Sequence, residues 1–291
     1  MRALRFVLPW IALAAGGSAQ VMSVSDLLKL AAPAADHRIA YGSDPNQFGY
    51  LRLPKGRGPH PVAIVIHGGC WLARFDLEHT GSMCAALTAA GLATWSIEYR
   101  RVGNAGGGWP GTFQDVAAGV DHLRALAGRY RLDLKRVVAV GHSAGGHLAL
   151  WAAARHRLPP SSTLYRPKPL PLRGVVSLAG VGALRSFAAR TPAACGDAIP
   201  QLVGTPENYP QASPIELLRL GVPQRLINGA LDRIVPVETG QQYEAAARKA
   251  GDDVRLTVLE SAGHFEVVAP QSAAWPVVEQ AVLSLLRQRG R

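Results

Sequence analysis

Pro61–Ile66 is a continuous apolar, β-branched run, the pattern of a strand whose sheet is covered on both faces. Before it, Arg38–Tyr41 and Phe48–Leu53 read as two strands joined by the turn Gly42-Ser43-Asp44-Pro45-Asn46. After it come a helical stretch around His79–Ala90, stopped by Gly91, and a strand over Leu92–Tyr99. Gln114–Ala127 places Val116, Val120, Leu123 and Ala127 on one helical face. Arg136–Val140 is then a strand, Gly145–Ala154 a helix, and Gly174–Leu178 and Gln224–Ile227 further strands. Gly240–Ala250 reads as a helix ended by Gly251, Val254–Leu259 as the last strand, and Ser272–Leu286 as the closing helix. This alternation predicts an α/β fold, a mostly parallel twisted sheet of about eight strands with helices on both faces. No repeat and no linker divides residues 20–291, which read as a single domain.

Two stretches interrupt the pattern. Leu158–Arg173 holds five prolines and no helical period, and Leu184–Gly221 is long, with several Pro and Gly. Both read as loops, either surface insertions or a partial lid over a pocket at the C-terminal edge of the sheet. Residues 1–19 have the parts of a secretory signal peptide: Arg2 and Arg5, the apolar run Phe6–Ala15, then Gly17, Ser18 and Ala19 before a cut at Ala19–Gln20. That run is too short to span a bilayer. The expected location is therefore secreted or periplasmic, an oxidising compartment. The three cysteines, Cys70, Cys84 and Cys195, then permit one bridge and one free thiol, with the pair left open.

Composition narrows the function classes. Hydrophobic residues are 48% of the 291 and charged residues 18%, which suits a large core and excludes disorder. The net charge of +11 raises nucleic acid as a partner. The basic residues are scattered, however, with no helix-turn-helix, zinc-finger or RNP-like pattern, and read as a solvated basic surface with weak attraction to anionic membranes or polymers. No nucleic-acid partner and no stable membrane insertion is expected, and the oligomeric state is left open.

Chemistry is concentrated at four places. Gly141-His142-Ser143-Ala144-Gly145 follows a strand and precedes a helix, the context in which a serine is exposed as a nucleophile on a sharp turn. His67-Gly68-Gly69-Cys70-Trp71 follows the strand Pro61–Ile66; the backbone N–H of Gly69 or Cys70, with that of Ala144, would form an oxyanion hole. Asp232 follows the strand Gln224–Ile227 and is placed to orient an imidazole, or alternatively to cap the next helix. His264 follows the last strand and would be the general base. Cys70 has no base placed for it by pattern and reads as a loop residue. Trp71 and Trp109, the latter in the glycine-rich Gly103–Gly111 stretch, are candidate substrate-binding walls or simple packing residues. No metal or cofactor signature is found.

Taken together, these residues resemble the α/β-hydrolases, over roughly residues 37–290. The His-Gly-Gly-x-Trp form is similar to the esterase branch that includes kynurenine formamidases, hormone-sensitive-lipase-like esterases and bifunctional acetyl/feruloyl xylan esterases. Tyr41-Gly42-Ser43-Asp44 to Phe48-Gly49, and Glu98-Tyr99-Arg100 to Asp115, are similar to that branch too. This sequence departs from it in carrying Cys at position 70 and in lacking the third glycine of His-Gly-Gly-Gly. The resemblance implies a serine carboxylester hydrolase with the triad Ser143, Asp232 and His264 and no cofactor, and the partial polarity of the two long loops points to small or soluble esters. The alternatives are an arylformamidase and a catalytically inactive hydrolase fold used as a binding module.

Overall fold

The computed structural model describes residues 21–190 and 194–287, so the expected signal peptide lies outside the described residues. Eight strands form one sheet: β1 His37–Ala40, β2 Phe48–Arg52, β3 His60–Ile66, β4 Ala93–Ile97, β5 Leu132–His142, β6 Gly174–Leu178, β7 Gln224–Gly229 and β8 Val254–Leu259. Their order is β1-β2-β4-β3-β5-β6-β7-β8. β2 pairs antiparallel with β1 and β4, and the remaining pairs are parallel.

Alternate residues of the central strands enter two cores. Val62, Ile64, Ile66, Val137 and Ala139 pack with the helices Gly111–Asp121 and Ala144–Ala154, through Phe113, Val116, Leu148 and Trp151. Ala63, Val65, Val138 and Val140 pack on the other face with Met83, Leu87, Val278 and Val282, from the helices Gly81–Ala89 and Trp275–Arg287. The unbroken apolar runs Val62–Ile66 of β3 and Val137–Val140 of β5 thus serve two interfaces at once. Gly49 lies against the indole of Trp95, where a Cβ would come within 2.4 Å of the ring.

Two expectations are corrected. The single helix expected over Gln114–Ala127 is two, Gly111–Asp121 and Leu123–Tyr130, meeting at His122. Just before that break, the Asp121 carboxylate accepts two hydrogen bonds from Arg155, at 2.7 and 2.6 Å, and one from the Leu170 N–H at 2.8 Å. Leu184–Gly221 is not loop throughout: it contains the helices Leu184–Arg190, Ala198–Val203 and Tyr209–Ala212. Each is too short to show a helical period, and burial of Leu184, Phe187, Ile199, Leu202 and Val203 stabilises them. Leu158–Arg173 has neither helix nor strand. Among the described residues no helix is long and apolar enough to cross a membrane.

Because β3, β5, β7 and β8 are parallel, the loops after them emerge at one sheet edge, where ligands of open α/β sheets bind.

Candidate active site

Ser143 stands between the end of β5 and the helix Ala144–Ala154 with φ 54° and ψ −119°, a conformation costly for an L-residue. Its N–H donates to the Leu178 carbonyl of β6 at 2.8 Å, and its own carbonyl accepts from the His147 N–H at 3.2 Å. The flanking glycines are steric necessities: a Cβ on Gly141 would lie 2.0 Å from the Gly145 carbonyl oxygen, and one on Gly145 2.0 Å from that of Ile66. The turn leaves Ser143 5% exposed beside a helix N-terminus, whose first N–H groups have no partner within the helix. That of Ala144 is among them.

The Asp232 carboxylate spans two tasks. Oδ1 accepts from the Ile234 and Val235 N–H groups, each at 2.8 Å, and so fixes the turn before the helix Val237–Lys249. Oδ2 lies 2.7 Å from Nδ1 of His264. The two loops are tied together: the Ala230 N–H donates to the Leu259 carbonyl and the Leu231 N–H to the Ala262 carbonyl, both at 2.9 Å. They cross so closely that a Cβ on Gly229 would fall 2.2 Å from the Ala262 oxygen. With Nδ1–H donated to Asp232, Nε2 of His264 carries the lone pair that a base needs.

His142 supports this loop. Its Nε2–H donates to the His264 carbonyl at 3.0 Å and its ring centroid is 4.7 Å from that of His264. Burial above all, and then the neighbouring His264 and His79, hold the His142 imidazole well below its ordinary pKa, so it is neutral. His79 is likewise pushed down to about 3 by burial and by His67. It donates through Nδ1–H to the Asp76 carbonyl at 3.1 Å and accepts the Gly68 N–H at 3.3 Å, which removes Gly68 as a free donor.

The turn after β3 has three successive residues with positive φ: Gly69 at 104°, Cys70 at 51° and Trp71 at 58°. Among the described residues no backbone acceptor takes the N–H of Gly69 or Cys70. Cys70 is joined to Cys195 by a disulfide, so its sulfur is no nucleophile, and the free cysteine is Cys84, buried in the core, its thiol pushed up to about 11 by burial. Trp71, expected as a pocket wall, is 1% exposed and donates its indole N–H to Nδ1 of His147 at 3.1 Å. Its role in the structure is to anchor the turn from behind. Trp109 is half-buried, its ring centroid 5.6 Å from that of Phe113.

Sequence reasoning passed over the polar layer beneath this turn. His67 lies 2.8 Å through Nε2 from the Glu98 carboxylate, which also accepts the Tyr99 N–H and pairs with Arg101 at 3.2 Å. Burial raises the Glu98 pKa, but His67 and Arg101 outweigh it and hold the carboxyl below its usual range. The Tyr99 hydroxyl donates to the His67 carbonyl at 2.9 Å. Arg100, next in sequence, makes a two-pronged pair with Asp115 at 2.8 and 2.7 Å, and Gln47 donates to the same carboxylate. The two stretches that carried the family likeness therefore meet in space, and that likeness was the available signal. Among the described residues no cluster of three His, Cys, Asp or Glu is arranged for a metal.

The BD-FAE family model matches residues 51–246, which include the Gly69 turn, the Ser143 elbow and Asp232. The chain belongs to the BD-FAE family. Within this BD-FAE protein His264 lies C-terminal to the matched stretch. The chain is similar to esterase LipC of Mycobacterium tuberculosis, 27% identical over 238 residues, 78% of this chain and 59% of that protein. It therefore spans about three fifths of that relative's length. Its fold is similar to a truncated carbohydrate esterase from gut microbiota, with TM-score 0.72 and 22% identity, covering 86% of this chain and 95% of the other. It is also similar to a propionate-bound Thermogutta terrifontis esterase, Est2, with TM-score 0.70 and 21% identity, covering 89% and 97%. These likenesses place the BD-FAE chain in the α/β-hydrolase fold.

Proposed function

We propose that this protein is a serine carboxylester hydrolase acting on small or soluble esters. The observation that carries the proposal is the 2.7 Å Asp232–His264 pair, tied by its loops to the same sheet edge as the strained Ser143 turn. That the similar sequence and structures are esterases supports the reaction class. In the mechanism, Ser143 attacks the ester carbonyl and His264 takes its proton through Nε2. Asp232 holds the tautomer and stabilises the imidazolium. The N–H groups of Gly69 or Cys70 and of Ala144 receive the oxyanion of the tetrahedral intermediate. His264 returns the proton to the departing alcohol, and water then releases the acyl group by the same steps. Trp109 is assigned to the substrate-binding wall, and Trp71, buried against His147, to support of the turn after β3. A secreted or periplasmic location, read from residues 1–19, is supported by the disulfide, which belongs to oxidising compartments.

The test is initial-rate hydrolysis of p-nitrophenyl acetate, methyl ferulate and N-formylkynurenine by purified residues 20–291, beside Ser143→Ala. Turnover of acetate or ferulate by the parent alone, with fluorophosphonate labelling at Ser143, is the expected result. Formylkynurenine leading by a hundredfold, about 2.7 kcal/mol of transition-state binding, would replace the ester reading with the arylformamidase. No turnover and no labelling would leave the fold as a binding module.

A further inference from the structure

The disulfide joins Cys70 in the turn after β3 to Cys195, 125 residues later. Cys195 precedes the helix Ala198–Val203, in the segment whose Gln211 and Ala212 carbonyls accept from Trp151 and His147. That segment therefore packs against the same helix that Ser143 begins.

Cys70 and Trp71 are consecutive L-residues in the left-handed region, an arrangement that persists only where the surroundings over-determine it. Trp71 is held twice: its indole N–H reaches His147, and its carbonyl accepts from the Val102 N–H at 2.8 Å. Gly69 is held by its carbonyl, which accepts from the Leu72 N–H at 3.0 Å. For Cys70, between them, no backbone hydrogen bond is found among the described residues. Its fixed covalent point beyond the main chain is the sulfur bonded to Cys195. Loss of that bond removes a covalent restraint on the positive-φ conformation of Cys70.

We infer that Cys195 is a positioning residue for acyl transfer, holding the Cys70 N–H through the disulfide where the oxyanion forms. The inference rests on the hydrolase reading above. It also accounts for the departure at position 70, since a cysteine is the residue that can carry this tie. An oxyanion donor acts in the transition state more than in substrate binding, so its loss lowers kcat and leaves KM nearly unchanged.

The experiment compares the parent, Cys195→Ala and the parent treated with a trialkylphosphine, using p-nitrophenyl acetate. The phosphine takes an oxygen from water and becomes its oxide, and its two electrons with two protons convert the disulfide into two thiols. Both cysteines are half-buried, so the reagent has access. Rates are expressed per serine labelled to completion by fluorophosphonate, which removes any misfolded fraction. The expected result is a fall in kcat of roughly tenfold to a thousandfold, with KM within about twofold. The loss should be equal for variant and reduced parent, and the phosphine should add nothing to Cys195→Ala. If Cys195→Ala does not fold, reduction of the folded parent gives the same reading. A kcat per labelled serine within about threefold of the parent's, even with a lowered Tm, overturns the inference and leaves a cross-link that only stabilises. A parent that neither labels at Ser143 nor turns over overturns the hydrolase reading together with it, whereas an active parent indifferent to reduction overturns this inference alone.

Discussion

Acid should destabilise this protein through His147, and the effect can be isolated. The His147 ring is buried, accepts the Trp71 indole N–H at Nδ1 and donates from Nε2 to the Ala212 carbonyl at 2.8 Å. A proton on Nδ1 would remove the lone pair that Trp71 uses. Burial holds its pKa near 4, against 6.5 for the free side chain, despite the opposing pull of the Ala212 carbonyl. As pH falls through 6.5 the unfolded chain takes up a proton and the folded chain does not, so the unfolded state gains. The stability is fully present above the unfolded value and is lost from about pH 6.5 downward, levelling off below about 4. The loss from this group is about 2 kcal/mol at pH 5 and about 3 kcal/mol at the limit. His147→Gln keeps one acceptor and one donor but cannot titrate. The assay is urea unfolding of parent and variant at about pH 8 and pH 5, followed by tryptophan fluorescence. The parent-minus-variant stability should fall by about 2 kcal/mol between the two. A difference constant within about 0.5 kcal/mol would refute the reasoning, because additivity removes the shared contributions of His79 and His142.

Other outcomes follow from particular contacts. Asp232→Asn should lower kcat by roughly 10³- to 10⁴-fold on p-nitrophenyl acetate; a loss below tenfold would point to another carboxylate. Trp71→Phe leaves Nδ1 of His147 without a donor and should cost about 1–3 kcal/mol in urea unfolding, and an unchanged midpoint would count against that bond. Gly145→Ala forces a Cβ to 2.0 Å from a backbone oxygen, and should cost upwards of about 3 kcal/mol, read as a lowered Tm or as insoluble expression.

The strands and the chain order Ser143, Asp232, His264 were legible because their signals are local. An apolar β-branched run such as Pro61–Ile66 must be buried on both sides whatever packs on it. Gly-x-Ser-x-Gly needs its glycines for clashes within its own turn and with the strand beside it. Asp232 fitted both a capping and an imidazole-orienting reading; one oxygen takes the Ile234 and Val235 N–H groups in the turn ahead of the helix, which begins without a side-chain cap, and the other lies 2.7 Å from His264.

The features that only the tertiary structure decided depend on partners far apart in the chain. Which cysteines pair is a matter of whether two Cα atoms come within reach, here 5.4 Å across 125 residues, and no spacing along the chain encodes that distance. Trp71 was placed on a pocket wall because its position after an oxyanion turn is local information, whereas its burial against His147 is not. The three short helices of Leu184–Gly221 draw their stability from the core they cover and so left no period to read. The sequence by itself therefore determined the strands, the candidate residues Ser143, Asp232 and His264, and the order in which the strands deliver them. The tertiary fold decided what holds those atoms still, because long-range packing, a disulfide and buried imidazoles become definite only when distant segments meet.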